Sequence, residues 1–265
     1  MGRRRKRDAM RLKIIACQVA FREICQAAAR SKHYLSLEFL PYDLHDDPKK
    51  AMPRLQERVD AVPDGEFDAI LIGYGLCEKI LAGLSARKTP LVVPRAHDCL
   101  TFFLGSRERY SQVFFDDPRT YYYSAGWVEK NDLSGGELAS QRSTTGLMPD
   151  YEAFAAKYGE EQAKAVLEIM EGWKAHYHRA LYIAFDFVDH LGWREKVQAI
   201  CETNNWEYAE VPGDLALLQR WVDGDWAEAD FLIVPPGRRV IATLGEDIIG
   251  LEPEPPRTHR KRMAR

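Results

Sequence analysis

Apolar residues in positions 11–130 fall into short runs separated by stretches with a helical period. Leu12–Cys17 (LKIIAC), Leu35–Pro41, Phe67–Tyr74 (FDAILIGY) and Pro90–Pro94 (PLVVP) each have the length and content of a buried strand. Between them, Phe21–Arg30 has helical character, and Pro48–Val62 places Met52, Leu55 and Val59 at spacings of three and four. Cys77–Ala86 and Leu100–Phe115 predict further helices. Strand and helix alternating at this spacing predict βαβ units, and so a parallel sheet covered by helices.

Residues 131–150 (NDLSGGELASQRSTTGLMPD) are polar and glycine-bearing, the pattern of a loop, lid or linker. Tyr151–Trp173 reads as helical. A second α/β set follows: strand Ala180–Phe185, helix Val188–Thr203, strand Trp206–Val211, helix Asp214–Val222 and strand Phe231–Val234, closed by Pro235-Pro236-Gly237. The expected organisation is a basic tail (1–10), an N-terminal lobe (11–130), a loop and helical connection (131–179), a C-terminal lobe (180–240) and an extension with a second basic tail (241–265). The fold class expected is α/β, with parallel-sheet βαβ units in two unequal lobes, Rossmann-like. The pattern leaves open whether the lobes share one sheet.

Composition narrows the class. The 265 residues are 46% hydrophobic and 29% charged, as in a globular domain. No apolar run approaches the ~20 residues of a membrane span, and the basic start lacks the apolar segment of a secretory signal. The expected location is the cytoplasm, with no membrane partner. The net charge of −3 combines +4 over residues 1–8, +5 over residues 257–265 and −12 between them. A body that acidic argues against a nucleic-acid-binding face. The five cysteines, odd in number and without a signal, disfavour a disulfide framework.

Three of those cysteines occupy equivalent places. Cys17 ends the first strand, Cys77 follows the third by a glycine turn (GYGLC), and Cys99 follows the fourth (VVPRAHDC). In an open parallel sheet, ligands bind outside the carboxyl ends of the strands. Cys17, Cys77, Cys99 and His97 can therefore converge there, and thiolate with imidazole suits zinc or an iron–sulfur cluster. Ligands from separate strand ends, without a CxxC pair, fit a working site with one open position. His-x-Cys with a distant Cys resembles the zinc ligands of thiol-methylating enzymes related to uroporphyrinogen decarboxylase and the cobalamin-dependent methyltransferases. Such a zinc lowers the pKa of a substrate thiol.

Other residues group with these four. Arg95 and Asp98 bracket His97 as catalytic candidates, Asp98 either orienting the imidazole or capping the next helix. Gly75 makes the turn before Cys77, and Tyr74 is a pocket wall or core residue. Arg107, Arg109 and Tyr110 (GSRERY) are candidates for a substrate carboxylate or phosphate. Gly126-Trp127 suggests an aromatic wall. Neither GxGxxG, a Walker A sequence nor GxSxG occurs, which removes the dinucleotide, P-loop and serine-hydrolase readings.

The strings YGLC, PLVVPRAHDC, FFLGSRERY, TYYYSAGW, VPGDLALLQRWVDGDW and DFLIVPPG resemble the domain of unknown function 1638 family, over roughly residues 11–240. Members typically carry Ala-Cys-Gly at the first cysteine, whereas Gln18 follows Cys17 here. The resemblance implies shared residues at Cys17, Cys77, His97 and Cys99. Because the family's genes often neighbour corrinoid-dependent methyltransferase genes, it also implies a setting in methyl-group metabolism. The leading expectation is a zinc-thiolate protein acting in methyl transfer or thiol activation in corrinoid-linked one-carbon metabolism, on a small acidic or thiol-bearing substrate. A [4Fe-4S] cluster on the three cysteines, with lyase, sulfur-removal or redox chemistry at an open iron, is the first alternative. A non-catalytic accessory protein of a corrinoid protein or methyltransferase is the second. The residues leave open whether the chain is an enzyme.

Overall fold

A computed structural model describes residues 9–42, 48–117, 119–133, 160–161, 176–243, 245 and 247–253. The expected loop at 131–150 begins instead as the end of a helix through Leu133; residues 134–150, most of the Tyr151–Trp173 helix, and the basic runs at 1–8 and 257–265 lie outside these residues.

The first sheet contains β1 (Arg11–Cys17), β2 (Tyr34–Leu40), β3 (Ala69–Gly73), β4 (Leu91–Pro94) and β8 (Phe231–Val234), in the order β2-β1-β3-β4-β8. The first four are parallel, with Ala16 opposite Gly73 and Cys17 opposite Leu40. β8 closes the sheet antiparallel to β4. A second sheet, fully parallel, is β5 (Thr120–Tyr123), β6 (Arg179–Ala184) and β7 (Glu207–Pro212), in that order. β9 (Val240–Ala242) and β10 (Ile249–Leu251) pair antiparallel by themselves. The architecture is thus mixed α/β with a mostly parallel central sheet. β1, β3 and β4 read as near-continuous apolar runs because both faces of a helix-covered parallel sheet are dry.

The helices are α1 (Phe21–Ala28), α2 (Pro48–Asp60), α3 (Leu100–Leu104), α4 (Arg107–Asp116), α5 (Ala125–Leu133), α6 (Trp193–Asn204) and α7 (Ala216–Val222). Among the described residues, none is long and apolar enough to cross a membrane. α7 follows the second sheet yet packs on the first: the Trp221 indole N–H donates to the Val92 carbonyl at 3.3 Å. One core accordingly runs from Ile14, Leu71 and Val92 to Leu181, Ile183, Leu217 and Phe231. A smaller cluster around Tyr123, Tyr182, Val197 and Cys201 lies beside it.

Three expected helices differ. Cys77–Ala86 is not a helix. It makes a 3₁₀ turn at Cys77–Lys79, because Cys77 and Lys79 have φ of 30° and 73° and the Gly83 N–H leaves for the Val240 carbonyl. Leu100–Phe115 is two helices, broken at Gly105, whose φ of 80° is left-handed, and restarted by Ser106, whose hydroxyl accepts from the Arg109 N–H. Val188–Thr203 is a 3₁₀ stretch (Asp186–Leu191) and then α6, parted at Gly192. β5, β9 and β10 carry no expectation from the sequence.

Candidate functional site

β1, β3 and β4 run parallel, so the segments that leave them start from one edge of the sheet. Those segments carry the three cysteines. The loop after β3 is stitched to the loop after β4 by Leu76 N–H to the Ala96 carbonyl and Cys77 N–H to the His97 carbonyl, both at 2.8 Å. Gly75 is required there, since a Cβ on it would stand 2.6 Å from the Asp98 backbone. Gly126, at the start of α5, is equally confined. A Cβ there would meet the Val19 carbonyl oxygen at 1.8 Å, so only glycine lets α5 rest on the turn after Cys17. Two glycines thus press the three cysteine-bearing turns and α5 together.

The Cys17 thiol acts electrostatically on Cys77, and both act on Cys99. Burial pushes the Cys77 thiol up to about 12, assisted by the Asp98 carboxylate and by Cys17. The N–H groups of Gly75 and Cys99 donate to its sulfur and oppose that rise. Cys99 is raised further, by burial first and then by Asp98, Cys77 and Cys17, and accepts a hydrogen bond from the Trp127 side chain. Cys77 also carries one of the few left-handed non-glycine backbones in the described chain. Such backbone strain concentrates at functional sites. Lys130, a buried residue, places its ammonium 4.8 Å from the ring centre of that Trp127. Among the described residues, no three His, Cys, Asp or Glu side chains form a ready-made metal cage.

The three cysteines stand on adjoining turns, then, without closing into a coordination sphere. Their chemistry nevertheless fits a soft cation, because a divalent metal stabilises thiolates whose ionisation burial and neighbouring negative groups oppose.

The remaining expected residues separate into two groups. His97 is exposed and stacks on Tyr110 at 5.9 Å, and the two rings share a cavity of 340 Å³ with Thr101, Arg107 and Glu108. Asp98 links that cavity to the thiols. One carboxylate oxygen accepts from the Leu100 N–H at 2.9 Å, which caps the start of α3, and the other accepts from the Tyr110 hydroxyl at 3.1 Å. Burial raises the Asp98 carboxyl, and it raises the Tyr110 phenol. Arg95 and Arg109 hold structure together. Arg95, buried, donates to the carbonyls of Glu228, Asp247 and Ile249 at 2.9, 3.0 and 2.5 Å. Arg109 donates to the Pro212 carbonyl at 2.5 Å. Tyr74 is in the core.

Glu23, Lys130 and Tyr42 were not expected near the site. Glu23 is fully buried, and burial pushes its carboxyl up to about 8. Tyr42, itself pushed up to about 12 by burial, feels both Cys17 and Glu23. The signal was present in the sequence: Glu23 falls on the same helical stripe as Ala20, Ile24 and Ala27. An acid on an apolar stripe is a reason to look.

A family model described as "Protein of unknown function (DUF1638)" matches residues 39–222, a span that includes Cys77, His97, Cys99 and Tyr110 and begins after Cys17. No curated protein and no solved structure matches the chain.

Proposed function

We infer that this chain, which belongs to the DUF1638 family, is a metal-thiolate protein in which Cys17, Cys77 and Cys99 hold zinc and leave a fourth position for a substrate thiol. The observation that carries the reading is the placing of three cysteines on the turns after three parallel strands, turns stitched together by the Leu76 and Cys77 N–H bonds to Ala96 and His97. A zinc ion on such a set supplies one thing, a bound thiol that is ionised and still nucleophilic at neutral pH.

The chain's own residues do the rest. The N–H groups of Gly75 and Cys99 and the Trp127 side chain direct hydrogen-bond donors at the sulfurs and hold their negative charge. Lys130, 4.8 Å from the Trp127 ring centre, holds that ring beside Cys99. Asp98 fixes Tyr110 and thereby the wall of the adjoining cavity. The reaction class is methyl transfer to a thiol, or thiol activation, in corrinoid-linked one-carbon metabolism, with a corrinoid protein or methyltransferase as partner. The reading takes the parallel strands β1 to β4 as a Rossmann-like sheet. It places the protein in the cytoplasm, where thiols stay reduced.

A second reading has one observation in its favour. The His97 ring stacks on Tyr110 at the cavity and is exposed, which leaves a three-sulfur donor set, the count for a [4Fe-4S] cluster with one open iron.

Metal and sulfide analysis with an optical spectrum, on full-length protein purified without oxygen and on Cys99→Ala, tests both. Zinc near one per chain, lost in the variant, supports the first reading. Iron with sulfide, lost in the variant, replaces it with the second. Wild-type protein with neither overturns both and leaves the accessory-protein role, for which a stable methyltransferase partner in a pull-down is the check.

A further inference from the structure

We propose that the 340 Å³ cavity beside the thiols recognises a small zwitterion, an α-amino acid or a close analogue. Its volume is at the small end for ligand pockets. Its wall carries Arg107 and Glu108, opposite charges on the first turn of α4. A ligand with only an anionic group meets the glutamate, and one with only a cationic group meets the arginine. A ligand carrying both satisfies each.

Two further features point to a ligand. Thr101, only 1% exposed, lines the cavity, and its hydroxyl has no hydrogen-bond partner among the described residues. A buried hydroxyl left without a partner is destabilising, and a polar ligand group would supply that partner. On another side stands Ile248, with φ of 64°, a conformation that a β-branched residue adopts only under constraint. The constraint is visible: Arg95 grips the carbonyls of Asp247 and Ile249 on either side of it. Such strain is retained at ligand clamps. Ile248 and the stacked rings of His97 and Tyr110 offer a short carbon skeleton its apolar contacts.

That the ligand also bears a thiol rests on the metal-thiolate reading. The zwitterion does not, so the test separates them. Isothermal titration of full-length protein, metal-replete and chelator-treated, would use L-serine, 3-hydroxypropionate and ethanolamine as probes, the last two each lacking one charge. L-serine is expected to bind at least roughly tenfold more tightly than either, since each probe forfeits one charge-assisted hydrogen bond. Arg107→Gln should erase the discrimination against ethanolamine, and Glu108→Gln that against 3-hydroxypropionate. Equal binding of all three probes, or no binding of L-serine, overturns the inference even where metal is present. L-serine bound with discrimination by the chelator-treated protein as well upholds the inference independently of the metal reading, which falls only where the protein purified without oxygen holds no metal. L-cysteine binding more tightly than L-serine only in metal-replete protein joins the two.

Discussion

Glu23 is a carboxyl held far from its ordinary state. Burial moves its carboxyl from 4.5 to about 8, so the folded chain holds this proton more tightly than the unfolded chain does. The resulting stabilisation is complete below the unfolded value and is lost as pH rises through the folded one. Between about pH 5 and pH 8 the wild type should lose up to about 1.4 kcal/mol per unit from this group. Glu23→Gln should flatten that slope and be the more stable chain at pH 8. Urea melts across the range test it, and parallel curves for the two chains would refute it. Arg95 makes the converse case. Truncation to alanine leaves the carbonyls of Glu228, Asp247 and Ile249, the last of them buried, without their donor, at about 2–4 kcal/mol, while on the proposed function metal content per folded chain should stay as in the wild type. Loss of metal with retained stability would return Arg95 to the site. Both residues show what a sequence conceals. The cysteine spacing was legible because strand ends are legible. The direction in which Arg95, Arg109 and His97 point depends on carbonyls and rings brought in from positions far along the chain.

Elements were readable where one period dominates. β1, β3, β4, β6 and β8 stand within a few residues of their expected bounds because continuous apolar runs of that length have no competing use. The helices that failed did so at single backbone angles. Gly105 turns left-handed, and its hydrogen faces Asp214, the residue whose carboxylate caps the first turn of α7 through the Ala216 N–H at 2.8 Å. The approach requires glycine: a Cβ there would stand 2.7 Å from Asp214, in a conformation that L side chains avoid. Gly105→Ala should therefore cost roughly 1–3 kcal/mol by disturbing two helix starts from one position. Thermal melts of Gly105→Ala and of Ser106→Ala, which removes only the α4 cap and about 1 kcal/mol, separate the two effects. A Gly105→Ala chain no less stable than Ser106→Ala would show that the break is not needed. The same reasoning explains why the helix expected after Cys77 is absent. Its positive angles serve the thiol site, and helical periodicity carries no record of them.

At the scale of the molecule, the decisive element is β8. It follows the second sheet in the chain, yet it is laid antiparallel on β4 of the first. α7, just before it, lies over β3 and β4 through Trp221. The chain is thereby tied back on itself, and Leu181, Ile183 and Phe185 share a core with Ile14 and Leu71. Two lobes that could be drawn apart on the sequence should then unfold together. Phe231 is the place to test this, being 1% exposed and contacted by the Arg220 guanidinium 5.9 Å from its ring centre. Phe231→Ala removes a large side chain from the seam and should cost about 3–5 kcal/mol. Native-state hydrogen exchange, which reads backbone amides one by one, can follow each sheet by itself. If the seam is shared, amides of Ala69–Gly73 in β3 and of Arg179–Ala184 in β6 lose protection by the same amount in the variant. Protection lost in β3 alone, with β6 unchanged, would mean that the second sheet is held by its own small cluster around Tyr182 and Val197 and unfolds as a separate unit. The shared result has a consequence for the thiols. Their three turns stand on β1, β3 and β4, so the same substitution should loosen Cys17, Cys77 and Cys99 together and lower metal retention in step with stability.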